Sequence, residues 1–265
     1  MTSYQLADGN ILKAGQTDGV ILPLTSLSLV LPAHNEVLNL PKVLEQACAV
    51  GKQIASSFEV ILVDDGSSDG SSGVARRTCD MLGLPITVIR HEKKSGYGKT
   101  VGDGLRAAQS DYVAFTDSDG QFDLAEFAEL APHLDGTVMV AGFRRHRQDA
   151  AMRSFVSFVF NTLLFVLYGL RVRDVDCAMK IMRRDFVQGA RLEAKSALIN
   201  AELFWKAKKA GFRIVQIPVT HLPRVAGVRS GARPRAILRA IKEVIIFRFR
   251  LRNWTFTAAN AKEES

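Results

Sequence analysis

Cysteine is scarce in this chain. There are three, Cys48, Cys79 and Cys177, scattered without C-x-x-C spacing or a neighbouring histidine cluster. An odd, dispersed set argues against a disulfide framework or a cysteine zinc site and points to a reducing cytosol. No basic region followed by an apolar run opens the sequence, so no signal peptide is expected. Long hydrophobic runs are also lacking. The most apolar stretch, FVSFVFNTLLFVLYGL at 155–170, is shorter than the roughly 20 residues a membrane span requires. Ser157, Asn161 and Thr162 interrupt it, so it reads as a buried or membrane-contacting helix. No internal repeat or low-complexity segment is present. A P-loop is missing too. HEKKSGYGKT closes on Gly98, Lys99 and Thr100, but the glycine that must stand five positions before the final glycine is Lys93. Triphosphate hydrolysis is therefore not expected.

What is present suits one globular unit. In 265 residues, 47% are hydrophobic, enough to fill a sizeable core. The expected organisation is an extension at 1–24 outside the fold, a single domain at 25–232, and a basic helix and tail at 233–265. Lysine and arginine exceed aspartate and glutamate by 35 − 27 = 8. Much of that excess follows residue 143, in RRHR, PRVAGVRSGARPRAILR and RFRLR, which implies an anionic partner. Nucleic acid is not the expected one, since interleaved exposed aromatics and a reader motif are lacking. A phosphorylated substrate or an acidic membrane surface remains.

Short β-branched runs alternate with helical segments through the first half. LSLVLPAHNE, FEVILVDDGSSDG, ITVIRHE and DYVAFTDSDG read as buried strands entering polar turns, with helices over 37–56, 70–82 and 98–110. This alternation predicts an α/β fold with a mostly parallel central sheet, helices on both faces, and ligands beyond the strand carboxyl ends. TVMVAGFRR reads as a fifth strand, followed by an apolar helix at 152–169. DVDCAMKIMRR reads as a short strand, NAELFWKAKKAG as a helix closed by Gly211, and FRIVQIPVTHLPR as a last strand. In the tail, Ile237, Leu238, Ile241, Val244, Ile245 and Leu251 alternate with basic residues. That pattern fits a basic amphipathic helix lying on a membrane or a partner, or a helix packed on its own domain.

Two polar turns carry candidate chemistry. In FTDSDGQFD, Asp117 and Asp119 leave the core at the carboxyl end of a strand. Hard oxygen donors there suit Mg²⁺ or Mn²⁺, with Gln121 as a neutral third oxygen. In VDDGSSDG, Asp64 and Asp65 either cap the next helix and bond the turn or accept the imide proton of a base.

Taken in order, LVLPAHNE, VILVDDGSSDG, KKSGYGKTVGDGLRAA and FTDSDGQFD resemble the family-2 glycosyltransferases with the Rossmann-like GT-A fold, over roughly residues 26–232. The resemblance implies a nucleotide diphosphate sugar donor. By it, Pro32, Ala33, Asn35 and Glu36 line base and ribose, Asp65 contacts the base beside Asp64, and Asp117, Asp119 and Gln121 bind diphosphate through the cation. Gly96 and Gly98 let the backbone pass close to the nucleotide, and Lys99 sits at a helix start, touching the donor or solvated. His34 stands where the family's PTYNE has an aromatic residue.

The segment from GFRRHR to DVDCAMKIMRR is similar to that of the polyprenyl-phosphate sugar transferases, the group that includes dolichyl-phosphate mannose synthase. That likeness implies a polyprenyl phosphate acceptor. Arg144 and Arg153 would hold its phosphate, with Asp174 and Lys180 on the same motif. Ala178 and Met179 replace the usual Gly and Phe, implying a changed acceptor pocket. Glu202, in NAELFW, matches an acid that removes the acceptor proton in transfers to hydroxyls, or else orients the acceptor or a cationic side chain. His221, Arg224 and Arg229 fall on an acceptor loop expected to contact phosphates. The implied activity is inverting, metal-dependent hexosyl transfer to a polyprenyl phosphate, in the cytoplasm with peripheral contact at the inner membrane face. The alternative is a soluble transferase acting on a small hydroxyl-bearing metabolite, with Glu202 as base.

Overall fold

The computed structural model describes residues 3–6, 11–13, 23–145, 162, 164–223, 243–249 and 251–257. Leu27–Ala33 (β3) is buried along its whole length, as expected of a central strand covered on both faces. It pairs in parallel with Phe58–Asp64 (β4) on one side and Tyr112–Phe115 (β6) on the other. Ile86–Arg90 (β5) lies parallel outside β4. Right-handed crossovers then dictate where the helices go. The chain runs outward from β3 through β4 to β5, so Leu40–Ile54 (α1) and Ser71–Leu82 (α2) share a face and pack together. It returns past β3 to reach β6, so Tyr97–Ala107 (α3) takes the opposite face. There it lies on β3 and β4. Gly104 permits that close approach, because a Cβ there would come within 2.3 Å of Val30 Cγ1.

After β6, a short helix at Phe127–Leu130 (α4) packs beside α1, and Met139–Arg144 (β7) follows. Residues 164–168 form a helical turn (α5). Lys180–Arg183 (β8) then enters antiparallel between β6 and β7, and Ile214–Val219 (β9) runs parallel outside β7. Arg184–Ala190 (α6) and Leu198–Lys209 (α7) connect them. From β5 across to β9 every pairing is parallel except the two made by β8. The expected mostly parallel sheet is therefore present, around one continuous hydrophobic core.

One feature departs from the expectations and a second decides between them. Ser3–Leu6 (β1) and Ile11–Lys13 (β2) pair antiparallel and add to the free edge of β9, so the sheet has nine strands among the described residues. These strands fall in the segment expected to lie outside the fold; the open edge of β9 offers unpaired backbone groups that β1 satisfies. The second concerns the tail, where of the two readings offered the packed one is seen for residues 243–249 and 251–257. Residues 243–249 are helical (α8), with Val244 and Phe247 buried and Ile245, Ile246 and Phe249 exposed. Tyr168 Oη donates to Val244 O at 2.5 Å, joining α8 to α5. The Trp254 indole donates to Ala190 O at 3.2 Å and packs on Trp205, with ring centroids 5.8 Å apart. This covering explains why α7 is buried from Leu198 through Ala207, a pattern its lysines do not advertise. Among the described residues no helix is long and apolar enough to cross a membrane. The three cysteines are free and buried.

Candidate active site

Three loops converge at the carboxyl ends of β3, β4 and β5, and side chains fasten them to one another's backbone. Asp65 N donates to Ala33 O at 2.8 Å. Asn35 takes a left-handed φ of 58°, a conformation asparagine tolerates. Its N–H donates to Ser67 Oγ at 2.9 Å, and its own Oδ1 accepts from Ser68 N at 2.9 Å. Glu36 N donates to Ser71 Oγ, and the Glu36 carboxylate accepts from Asn39 Nδ2 at 2.6 Å. The His34 ring nitrogen Nδ1 meets Asp65 O at 2.8 Å. Pro32 and Ala33 close β3 beneath this cluster.

The two aspartates of VDDG have separate jobs. Asp64 is 1% exposed; its carboxylate accepts from Ser67 N at 2.8 Å and from Ser72 Oγ. It organises the turn and the start of α2, so its assignment to the donor site is corrected: the carboxylate is enclosed within the turn it holds. Asp65 faces the loop after β5, accepting from Ser95 N at 2.6 Å and Gly96 N at 3.0 Å, with His91 Nδ1 at 2.8 Å. Burial alone would raise the Asp65 carboxyl, but these bonds outweigh it and hold the group below its ordinary value.

Gly96 has φ 104°, which an L side chain resists, and its amide serves Asp65. Gly98 is glycine for a different reason than expected. A Cβ there would lie 2.2 Å from Ser196 O and 2.7 Å from Ala194 O, so backbone of the 194–196 loop occupies the space assigned to a nucleotide. Lys99 is exposed and pairs with Asp103 at 2.6 Å, one turn along α3.

Asp117 and Asp119 leave the end of β6. Between them Ser118 Oγ donates to Pro32 O at 2.7 Å, tying the loop to β3. Asp119 Oδ1 accepts from Gln121 N at 3.1 Å. Gln121 Nε2 donates to Leu222 O at 3.1 Å, leaving its Oε1 as the oxygen for a cation, and Gln121 O accepts from Leu222 N at 2.8 Å. His221 consequently packs edge-on against Phe122, 5.5 Å between centroids, beside the carboxylate loop. Burial first, and the neighbouring Asp119 charge second, push Asp117 up to about 7, against the opposing pull of Tyr97, Lys180 and Arg144. Two carboxylates that repel each other, with an amide oxygen nearby, fit a hard divalent cation. Among the described residues no cluster of three or more His, Cys, Asp and Glu closes around such an ion. A two-carboxylate site suits a cation that keeps water or phosphate oxygens in its shell.

The Tyr97 hydroxyl bonds both Asp117 and Asn200, and Asn200 Oδ1 accepts from Lys180 Nζ at 2.9 Å. Lys180 is wholly buried, between the Phe115 and Phe204 rings at 5.2 and 5.5 Å, and burial pushes it down to about 8. Its assignment to acceptor binding is corrected, since the ammonium is enclosed behind the carboxylate loop. Asp174 is 5% exposed and grips Arg144: Nε to Oδ2 at 2.6 Å and Nη2 to Oδ1 at 2.9 Å. Burial would lower the Arg144 guanidinium, but Asp174 outweighs it, so the group stays charged. Asp174 thus serves Arg144 rather than meeting an acceptor itself. Arg153, Arg224 and Arg229 lie outside the described residues.

Of the two readings of Glu202, the structure fits the one in which it orients a cationic side chain. Its carboxylate pairs with Lys206 Nζ at 2.6 Å, and neither side chain has any exposed surface. It also accepts from Glu193 N at 3.0 Å and Ala194 N at 2.9 Å. A base must reach the proton it removes. Glu202 instead holds down the 193–194 loop. Three site residues escaped the sequence reading: Tyr97, Asn200 and His91. Tyr97 and Asn200 stood inside motifs already singled out, SGYGKT and NAELFW, but their meeting spans α3 and α7 and leaves no local spacing to find.

A parallel sheet interrupted by one reversed strand, with paired carboxylates leaving the strand beside the reversal, defines an α/β domain of the GT-A class. The sequence profile described as "Glycosyl transferase family 2" matches residues 28–189, and the chain belongs to that family. It is similar to the undecaprenyl-phosphate 4-deoxy-4-formamido-L-arabinose transferase of Pseudomonas fluorescens, 27% identical over 208 residues, which cover 77% of this chain and 60% of the relative. The Aeromonas hydrophila enzyme of the same name is 28% identical over 203 residues, 76% of this chain and 61% of the relative. The chain therefore spans about three fifths of the length of these curated relatives. Among solved structures, it shares its fold with glucosyl-3-phosphoglycerate synthase from Mycobacterium tuberculosis, crystallised with Mn²⁺, UDP and phosphoglyceric acid. The TM-score is 0.65 at 20% identity, over 84% of this chain and 78% of the other.

Proposed function

We propose that this chain is an inverting, metal-dependent glycosyltransferase that moves a hexose from a nucleotide diphosphate sugar to a polyprenyl phosphate, with residues 25–232 as the catalytic unit. The observation that carries the reading is the carboxylate pair Asp117 and Asp119 at the end of β6, on the same sheet edge as the Asp65 cradle. Asp65 accepts a hydrogen bond from a ring N–H of the base. Asp117 and Asp119, with Gln121, would hold Mg²⁺ or Mn²⁺. When bound, such a cation supplies positive charge to the departing diphosphate. The crystallised UDP and Mn²⁺ of the M. tuberculosis neighbour and the undecaprenyl phosphate in the relatives' names support these assignments by analogy.

Arg144, set by Asp174, offers a fixed guanidinium for the acceptor phosphate. A phosphate monoester is already ionised near neutral pH and attacks the anomeric carbon without a base. The burial of Glu202 against Lys206 is compatible with that chemistry. On α5 and α8, Phe165, Val166, Ile245, Ile246 and Phe249 are exposed, with Arg171 stacked on Phe165. Arg248, which bonds Leu167 O, joins the same surface. Apolar side chains rimmed by arginines suit peripheral contact with an anionic inner leaflet.

The test is transfer of labelled sugar from a panel of nucleotide diphosphate sugars to undecaprenyl phosphate and to water-soluble acceptors. Vesicle co-sedimentation at low and high salt accompanies it. Metal-dependent lipid product is expected. Transfer to soluble acceptors alone, or no sedimentation with anionic vesicles at either salt, would overturn the acceptor or the membrane assignment respectively.

A further inference from the structure

His91 is the first residue beyond β5, and its N–H donates to Asp64 O at 2.9 Å, extending the β4–β5 ladder by one bond. The side chain is 10% exposed and spans two acids. Nδ1 lies 2.8 Å from Asp65 Oδ1, and Nε2 lies 2.9 Å from Asp103 Oδ2 on α3. Asp103 is held in turn by Lys99 at 2.6 Å and by Arg106. The same bonding that lowers Asp65 operates here: burial would raise Asp103, but Lys99, Arg106 and His91 outweigh it and hold the carboxyl below its ordinary value. Each ring nitrogen thus meets one carboxylate oxygen, and the imidazole is a strut between the Asp65 loop and α3.

The accounting at Asp65 shows what the strut does. A carboxylate offers about four acceptor positions. Oδ1 receives His91 and Ser95 N, and Oδ2 receives Gly96 N. By that count one acceptor position, on Oδ2, is not taken up within the protein.

We propose that His91 is a specificity-determining positioning residue. By fixing Asp65 as an ionised acceptor with one open position, it selects a donor nucleotide whose base carries a ring N–H. Uracil and guanine have such a group beside a carbonyl; cytosine and adenine present a ring nitrogen lone pair at the corresponding place, which a carboxylate repels. This inference rests on Asp65 as the base contact. Asp103 acts one step further out: without its charge, one of the two partners that hold the imidazole across the gap is weakened.

The experiment measures dissociation constants of UDP, CDP, GDP and ADP with Mn²⁺ by calorimetry, in wild type, Asp65→Asn, His91→Gln and Asp103→Asn, each with a thermal melt. Wild type prefers UDP to CDP, or GDP to ADP. Loss of one charge-assisted hydrogen bond at Asp65 lowers that ratio about tenfold in His91→Gln. Asp103→Asn lowers it in the same direction by about threefold, consistent with an indirect effect. A purely structural histidine would weaken all four ligands equally, and that result overturns the proposal. If Asp65→Asn lowers the ratio while both other variants keep it, the positioning role fails and the base contact stands. If Asp65→Asn leaves the ratio unchanged, or wild type shows no preference, the base contact itself fails. Should His91→Gln not fold, Asp103→Asn decides the matter, because Asp103 lies on the far side of the imidazole from Asp65.

Discussion

Removing the Glu202 carboxylate separates a structural acid from a catalytic one. In Glu202→Ala, Lys206 keeps bonds to Ala190 O at 2.8 Å and Arg191 O at 2.9 Å but loses its anion while wholly buried. Breaking a buried ion pair from one side costs about 3–5 kcal/mol. The amides of Glu193 and Ala194 lose their acceptor as well, though water entering the vacated space offsets part of that. A total of about 4 kcal/mol lowers Tm by about 10 °C in a domain of this size. Urea unfolding followed by tryptophan fluorescence reads the effect at its source. The chain's two tryptophans adjoin the pair, with Lys206 Nζ 5.3 Å from the Trp254 ring centroid and Trp254 stacked near Trp205. Glu202→Gln keeps the shape and one acceptor and loses about half as much. Well below its melting point it retains turnover within about tenfold of wild type, where loss of general-base catalysis would remove about 100-fold or more. A Glu202→Gln protein that unfolds with wild type yet is inactive would refute the argument. Replacing both partners, Glu202→Leu with Lys206→Met, restores part of the stability but leaves the two amides without an acceptor.

Three further outcomes follow from the site. Asp117→Asn and Asp119→Asn each abolish the Mn²⁺-dependent rise in melting temperature seen with a nucleotide diphosphate, and neither lowers the metal-free melt, because the mutual repulsion is relieved; a thermal-shift titration checks both. Gly98→Ala forces a methyl onto Ser196 O at 2.2 Å and costs about 3 kcal/mol by denaturant unfolding, and a neutral result would place the 194–196 loop elsewhere. Asp103, held low by its three partners, contributes stability that is full above the unfolded carboxylate pKa of about 4 and is lost as pH falls through the lower folded value. Asp103→Asn therefore lowers stability by a constant amount above pH of about 5, and the deficit closes as pH falls, which flattens the acid limb of a pH–stability curve.

The parallel core was legible because its signals are local. Seven consecutive buried residues in β3 and the polar turns after each strand can be read without knowing what they face. The roles of the acids were not. Asp64 and Asp65 are adjacent and chemically identical, yet Ser67 and Ser72 claim one while Ser95, Gly96 and His91 claim the other. Glu202 and Lys206 carried a visible i,i+4 spacing, ordinarily the mark of an exposed helix face. That face is buried here because residues 251–257 return to cover it. Long-range closure of this kind decided which carboxylates remained for chemistry.

The loops after β3, β4 and β5 are fastened chiefly by side chains accepting from backbone amides: Asn35, Glu36, Val37, Ser67, Ser68, Ser95 and Gly96 each donate an N–H to a neighbouring side chain. The loops proposed as the donor half of the site are thereby set during folding, ahead of any ligand. Ordering entropy that a floppy loop would lose on capture has already been spent, so affinity there is governed by how fast the ligand leaves rather than by how long the protein takes to find its shape.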